Sequence, residues 1–336
     1  MNQDVVSRVR QELERSKRTL LTTHQNSDGD GLGSEVALSA YLKGRGKETL
    51  ILNPDEVPER YRFLDPSGEI RSYDEASGPD LVRGCDLIIT LDNSSLHRLG
   101  KMEQSVRDAN AVTICVDHHS TTDPFWGINL IDESACATGE MVHDLIKALG
   151  GTLDTASAVA LYTAMVTDTG NFRFSKTSPR SHRIAAELLA KGVDPARVYE
   201  LVYEQQPEGF VRLIGVALSA FRLEAGGRLG WIALSRRDMI ECHAEQADTS
   251  EIVNHLFAIR GVRVCLLFKE LPDGKVKVSL RSKGSIDVHK VATTYGGGGH
   301  QNASGAVVDG PLDAAVPRLV RDATALLSWA PEDPGR

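Results

Sequence analysis

No stretch of this chain is apolar over the ~20 residues that a membrane-spanning helix needs, which excludes a helical membrane protein. The segment from Met1 to Arg18 is charged throughout and lacks the apolar core of a signal peptide, so the expected location is the cytosol. Cysteine is scarce and scattered: Cys85, Cys115, Cys136, Cys242 and Cys265 form no C-x-x-C pair, which argues against a zinc ribbon, a redox dithiol or a disulfide framework. Cys85, Cys115 and Cys265 lie in strand-like apolar runs and read as small core hydrophobes. Positive charge is also short, with 38 Lys+Arg against 46 Asp+Glu. A protein that coats a long polyanion wants a basic face, because Lys and Arg neutralising phosphates supply most non-specific affinity. There is no internal repeat, and the only low-complexity feature is Gly296-Gly297-Gly298-Gly299.

What is present reads as an ordinary globular protein, 41% hydrophobic and 25% charged over 336 residues, enough for two cores. The net charge of -8 is unevenly shared: residues 226–336 hold 14 Lys+Arg against 13 Asp+Glu, a net of +1, and residues 1–225 hold 24 against 33, a net of -9. Acidity of the first part does not exclude a short polyanion, because bound divalent cations invert the local field of an acidic pocket.

Strand-like and helical runs alternate through the first half. Strands are expected at Thr19 to Thr23, Leu50 to Leu52, Asp86 to Leu91, Ala111 to Val116 and Ile128 to Ile131. Helices are expected at Asp4 to Lys17, Leu32 to Leu42, Leu99 to Arg107, Thr138 to Leu149 and Thr155 to Val166. That alternation implies an α/β domain with a covered parallel sheet. Residues Ser181 to Phe221 read as helical, broken at Gly192, Asp194-Pro195 and Gln206-Pro207. Beyond Leu229 come strand-like runs at Trp231 to Leu234, Val262 to Phe268 and Val276 to Leu280, the last two a hairpin across Pro272-Asp273-Gly274. A helix at Val288 to Tyr295, a strand at Gly305 to Val308 and a helix at Leu312 to Leu327 complete the tail. The expected architecture is a parallel-sheet N-terminal domain over residues 1–190, a helical linker over 191–225 and a smaller α/β C-terminal domain over 226–336, with a cleft between the domains.

Three strand ends carry the chemistry. The first runs into His24, Asp28 and Asp30, the second into Asp92, and the third into Asp117-His118-His119. Open parallel sheets bind ligands just outside the carboxyl ends of their strands, so these side chains suggest one shared site. Taken singly, each has a plain structural role. The His24 to Gly31 loop could be an Asx turn. It is not a calcium loop, since Asn26 in the first position would put Ala37 where a bidentate glutamate is required. Asp92 could cap the next segment beside Ser94 and Ser95, His118 and His119 could be surface histidines, and Asp168 could end a helix. Taken together, oxygen and imidazole donors without thiolates suit Mn or Mg, then Zn, Fe or Co. Two such ions ~3.5–4 Å apart can clamp the attacking and leaving oxygens of a phosphoryl displacement. Four glycines usually mean a linker, but these sit between a helix and a strand, ahead of His300, where bare backbone could approach a phosphate. Arg173 reads as a surface or cleft-edge residue, and Phe172 and Phe174 as packing residues.

In order, His-x-x-x-Asp-Gly-Asp (His24 to Asp30), Asp92, Asp-His-His (Asp117 to His119), Asp-Thr-Gly (Asp168 to Gly170) and Gly-Gly-Gly-His (Gly297 to His300) resemble the DHH phosphoesterase family with its DHH-associated second domain. The match spans His24 to Gly305. Within the family the chain looks most like the stand-alone nano-RNase/pAp phosphatase group, and it lacks the extra domains of RecJ-type exonucleases. The resemblance implies two divalent metal ions, manganese first and Mg or Co as alternatives. It assigns His24 and Asp28 to one ion, Asp30, His118 and Asp168 to the other, and Asp92 to both. It implies catalytic roles for His119, Asp92 and Asp117, the last by orienting a histidine. Phosphate binding falls to Arg281, Ser282, Gly297, Gly298, Gly299 and His300. Ser27 stands where the family often has proline.

The expected activity is hydrolysis of short oligonucleotides to mononucleotides and of 3'-phosphoadenosine 5'-phosphate (pAp) to AMP, by attack of a metal-activated water on phosphorus. The expected partners are short RNA or DNA oligonucleotides and pAp, with no membrane, and a homodimer is left open. Rivals are a cyclic-di-AMP/pApA phosphodiesterase, a RecJ-like single-strand exonuclease and, outside enzymes, a nucleotide-binding regulator with an inactive site.

Overall fold

Strands covered on both faces need apolar side chains at nearly every position, and the first half of the chain supplies them. The computed structural model describes residues 2–119 and 123–328. It begins with α1 (Gln3–Arg15), β1 (Arg18–Thr22), α2 (Gly29–Gly44), β2 (Glu48–Asn53), β3 (Ile70–Ser72), α3 (Gly78–Arg83), β4 (Leu87–Leu91), α4 (Glu103–Arg107), β5 (Val112–Asp117) and β6 (Ile128–Ile131). Next come the helices α5 (Thr138–Ala148), α6 (Thr155–Asp168), α7 (Pro179–Leu189) and α8 (Pro195–Tyr203). The strands pair in parallel in the order β3-β2-β1-β4-β5-β6. Alternation splits each strand between two cores: Leu20, Ile88 and Cys115 meet Leu96, Leu99, Met102 and Trp126, while Leu21, Ile89 and Ile114 meet α1, α2, α5 and α6. The order reverses between β1 and β4, which opens a crevice at their carboxyl ends.

Helices α2 and α6 cross in close contact beneath that crevice. Gly33 permits it, since a Cβ there would lie 2.3 Å from the carbonyl oxygen of Ala160. Almost every residue of α2 from Gly29 to Leu38 is buried, so the helix behaves as a core element rather than an amphipathic surface one.

Contacts divide the chain between Gln205 and Gln206. The second unit contains α9 (Glu208–Ser219), β7 (Arg222–Glu224), β8 (Leu229–Leu234), α10 (Arg236–Glu241), β9 (Val264–Glu270), β10 (Val276–Ser282), α11 (His289–Thr294), β11 (Gly298–His300), β12 (Ala303–Val308) and α12 (Leu312–Ala325). Its sheet runs β11-β12-β10-β9-β8-β7, antiparallel except for β8 with β9. Helices α11 and α12 cover one face, and α9, α10 and the turn at Ile252–Ala258 cover the other. The expected linker over 191–225 is not an independent piece. Its apolar residues require partners: α8 buries Val198 and Val202 against the first unit, and α9 buries Leu213 and Ala217 in the second. Among the described residues no helix is long and apolar enough to cross a membrane.

Because Gly33 faces a backbone carbonyl that cannot swing aside, Gly33→Ala should cost the first unit about 1–3 kcal/mol. The measurement is the urea midpoint followed by a probe in that unit. An unchanged midpoint would show that α2 and α6 separate cheaply.

Candidate metal centre

Each functional side chain is placed by an identifiable local device. Thr23, at the end of β1, donates its N–H to Asn53 Oδ1 (3.0 Å), and Gln25 donates to the Arg98 carbonyl (2.8 Å), which fixes His24 between them. Asp28 caps α2: its Oδ1 accepts from the N–H groups of Asp30 (2.9 Å) and Gly31 (3.3 Å), leaving Oδ2 turned toward His24. Asp30 is fully buried and accepts from the N–H of Thr138 (2.7 Å) and of Gly139 (2.8 Å) at the start of α5. Asp92 follows β4 with φ +56°, a left-handed conformation that a non-glycine residue adopts at a cost. Its N–H still bonds to Val116 (3.0 Å), Thr90 ties down the turn by donating to the Asn93 carbonyl (3.1 Å), and Thr138 donates its hydroxyl to Asp92 Oδ1 (3.2 Å).

Hydrogen bonding sets the histidine tautomers. His24 Nδ1 lies 2.8 Å from the Gln25 carbonyl and His118 Nδ1 lies 3.2 Å from the Ala135 carbonyl. A carbonyl only accepts, so hydrogen on Nδ1 satisfies both contacts and turns each Nε2 lone pair to the site, although the Lys176 ammonium, a donor, also lies 3.5 Å from His118 Nδ1. Those lone pairs face carboxylates. His24 Nε2 is 3.4 Å from Asp92 and 4.0 Å from Asp28, and His118 Nε2 is 3.4 Å from Asp168, 3.6 Å from Asp92 and 3.8 Å from Asp30. His118 Nε2 is buried without a hydrogen-bond partner. His119 Nδ1 is held by Asp117 Oδ1 (2.7 Å), which also accepts the His119 N–H (3.1 Å).

Donor atoms gather into three overlapping groups: His24 with Asp28 and Asp92; Asp30 with His118 and Asp168; and Asp92 with Asp117, His118 and His119. Asp92 belongs to two of them. The electrostatics are those of a place made for cations. Burial, then the charges of Asp92 and Asp28, pushes Asp168 up to about 7, and its position at the carboxyl end of α6 works in the same direction. Burial, then Asp92, Asp168 and Asp28, holds Asp30 well above the usual carboxylate range, and burial with Asp92 raises Asp28. Asp92 is lowered, because the imidazoles of His24, His119 and His118 outweigh its burial. Against its own burial, His24 is raised by Asp92. Burial lowers His118, and the bond to Asp117 raises His119. Oxygen and imidazole donors around a buried, unpartnered nitrogen fit divalent cations, which would supply the positive charge these carboxylates lack.

The second unit treats its expected residues unequally. Ser282 is buried: its hydroxyl donates to the Ile286 carbonyl (2.5 Å) and accepts from Asn302 (2.9 Å), so here it fastens the 283–288 loop. Alternation along β10 turns Ser282 inward and leaves Arg281 half-buried on the other side. Arg281 donates to the Leu280 carbonyl (3.1 Å) and keeps a loose 3.8 Å contact with Glu251. The glycine run ends in strand β11, whose Gly298, Gly299 and His300 pair with Gly305, Ser304 and Ala303 of β12. Gly297 cannot carry a Cβ beside the Gly305 carbonyl, whereas a Cβ on Gly298 would meet nothing, so the fold of this unit does not explain that glycine. The side chain of His300 lies outside the described residues.

Asn53, Glu35, Thr138 and Lys176 also serve the centre and were not singled out from sequence. Glu35, buried on α2, accepts from Asn53 Nδ2 (2.9 Å), and burial pushes its carboxyl up to about 8. An acid in an otherwise apolar helix was the available signal. Lys176 places Nζ 3.3 Å from the His118 carbonyl.

A doubly wound sheet with carboxylates and imidazoles gathered at its order reversal defines an α/β protein with a donor cluster that could hold metal ions. The chain belongs to the DHH family: residues 18–166 match the DHH family, N-terminal domain, and residues 239–328 match the DHHA1 domain. It is similar to the bifunctional oligoribonuclease and PAP phosphatase NrnA of Thermus thermophilus, with 33% identity over 302 residues, 89% of this chain and 87% of that protein. It is similar too to the protein of the same name from Bacillus subtilis, with 28% identity over 86% of this chain and 88% of that one. Among solved structures, an exopolyphosphatase-related protein from Bacteroides fragilis shares the fold at TM-score 0.93 and 28% identity, over 96% of each chain.

In chelated protein the raised carboxyl of Asp168 makes stability depend on pH. The folded chain holds that proton more tightly than the unfolded one, whose value is near 3.8, so this contribution is whole below about pH 4 and lost as pH rises through about 7. Asp168→Asn should flatten the fall between those limits in urea unfolding with chelator present. A variant that keeps the full wild-type slope would assign the pH dependence to Asp30 and Asp28 instead.

Proposed function

We propose that this protein is a metal-dependent phosphoesterase that hydrolyses short oligonucleotides to mononucleotides and converts pAp to AMP. The observation that carries the reading is the complete donor set at the β1/β4 crevice, in a chain similar over most of its length to proteins named as oligoribonuclease and PAP phosphatase. An intact cluster of buried carboxylates also favours an enzyme over a regulator with an inactive site, which would need no such arrangement.

His24, Asp28 and Asp92 would hold one divalent cation, and Asp30, His118 and Asp168 would hold the other, with Asp92 available to both. Manganese is the first ion to test, then Mg and Co. Bound there, two cations supply Lewis-acid polarisation of a phosphoryl oxygen and a water of lowered pKa. The protein's own groups do the rest. Thr138 and the start of α5 keep Asp30 and Asp92 from turning away. Asp117 fixes the His119 ring and favours its protonated form, so His119 is suited to give a proton to the departing oxygen. Arg281 and the backbone of the Gly297–Gly299 run, whose Gly297 N–H is itself tied to the Ala292 carbonyl (2.9 Å), bind a phosphate of the substrate, joined by His300. Few phosphates are contacted on this scheme, so affinity should depend weakly on salt.

Two variants separate chemistry from capture. Asp92→Asn should lower turnover by at least about 100-fold, the scale of losing a charge contact made in the transition state, and should bind less than two ions per chain. Full metal content with near wild-type turnover would remove Asp92 from the bridge. Arg281→Ala should keep both ions and raise KM for pAp and a dinucleotide alike; unchanged KM for both would take Arg281 out of phosphate capture.

A further inference from the structure

The loop after Asp168 presents an aromatic ring that its own fold does not use. Gly170, Asn171 and Phe172 take φ of +56°, +60° and +61° in succession. Two of the three are not glycine, and a left-handed aromatic residue is a strained one, held only because neighbours over-determine it. Those neighbours are visible: the Phe172 N–H bonds to Thr169 Oγ1 (2.8 Å), and the N–H groups of Arg173 and Phe174 both bond to the Thr169 carbonyl (3.0 and 2.9 Å). The twist separates two phenylalanines that the sequence pattern assigns alike to packing. Phe172 turns inward, stacked on His182 at 5.2 Å and beside Tyr162 at 6.0 Å. Phe174 turns outward and is 48% exposed, the only exposed phenylalanine or tryptophan among the described residues. Packing therefore accounts for Phe172 and not for Phe174.

Both ends of this loop rest on the metal centre. It leaves from Asp168, which faces His118 at 3.4 Å, and it returns at Lys176, whose ammonium sits 3.3 Å from the His118 carbonyl. Phe174 is steadied from below by Gly170, where a Cβ would come within 2.5 Å of the ring, and the Arg173 guanidinium lies 5.3 Å from the ring centroid. A single exposed apolar residue usually means nothing. This one is different because strained backbone, a neighbouring cation and a loop closed on the centre all serve to display it.

We propose that Phe174 is a stacking platform for a nucleobase of the substrate, next to the centre that handles its phosphate. This rests on the phosphoesterase reading and goes beyond it by naming a base contact. Every base has a flat π face, so such a platform gives affinity without sequence preference, as a scavenger of mixed short oligonucleotides requires. Arg173 lies over one face of the ring at 5.3 Å, so a base stacks on the opposite face or takes the place of the guanidinium, which then carries its positive charge to the sugar-phosphate that follows the base.

The test compares a dinucleotide with its abasic counterpart, the same sugar-phosphate carrying hydrogen in place of each base. Phe174→Ala should raise KM for the dinucleotide roughly tenfold or more, leave kcat near wild type and leave the abasic substrate unaffected. Phe174→Trp should restore the dinucleotide KM, since it keeps an aromatic face. An equal rise on both substrates would make the ring a structural part of the loop, and unchanged KM on both would remove it from binding; either overturns the base contact alone. Wild-type protein that leaves the dinucleotide intact overturns the phosphoesterase reading, and this inference with it.

Discussion

Several carboxylates cannot share a buried crevice unless something positive joins them, and much of the first unit is arranged around that constraint. Asp30 and Asp117 are fully buried, Asp92 nearly so, and Asp168 half-buried. The protein meets part of the requirement itself, with N–H groups from the start of α5 on Asp30 and three imidazoles around Asp92. What remains is visible in the carboxyls left raised, Asp168 up to about 7 and Asp30 well above its usual range. Metal ions held there would complete the balance and would tie folding of the crevice to their binding.

That constraint explains why the supporting parts look as they do. Helix α2 is capped by Asp28, carries Asp30 in its first turn and is then buried almost throughout to Leu38, because it must sit between the sheet and α6. Gly33 lets α6 come near, and α6 in turn ends at Asp168. Asn53 plays the part that backbone pairing plays further down β1 and β2: its side chain bonds to the Thr23 N–H where the strands have parted, and Glu35 holds it there. Among the described residues of the first unit the left-handed non-glycine residues are Asn26, Asp92, Asn171 and Phe172, each within a few residues of a donor of the centre. At Asp92 and in the turn from Gly170 to Phe172, hydrogen bonds to neighbours hold a conformation that the residues alone would avoid.

The second unit follows a quieter logic. Its mixed sheet is covered on both faces, its charge is nearly balanced, and its few polar side chains inside, such as Ser282 with Asn302, tie loops to strands. Against that background Gly298 stands apart, because neither a turn nor close packing within the unit accounts for its missing side chain. Arg281 is a second such case, an arginine on a central strand whose only carboxylate contact among the described residues is loose.

The amino-acid sequence by itself determined the alternation of strands and helices and the ends at which function lies. Apolar runs of β-branched and leucine residues followed at once by His24, Asp92 or Asp117 are local facts, and a parallel sheet must bring such ends to one edge. The grouping of Asp30 with His118 and Asp168 follows from the same spacing only with the family resemblance in hand, and the three-dimensional arrangement brings those donor atoms together. Other features depended on tertiary structure alone. Whether the stretch from residue 191 to 225 stands free was decided by which core each apolar stripe found, and whether Ser282 or Arg281 faces outward was decided by the register of β10. The same is true of Phe172 and Phe174, two residues of one type two positions apart. Only the left-handed turn from Gly170 to Phe172, held by N–H groups that donate to Thr169, sends one into the core and the other to the surface.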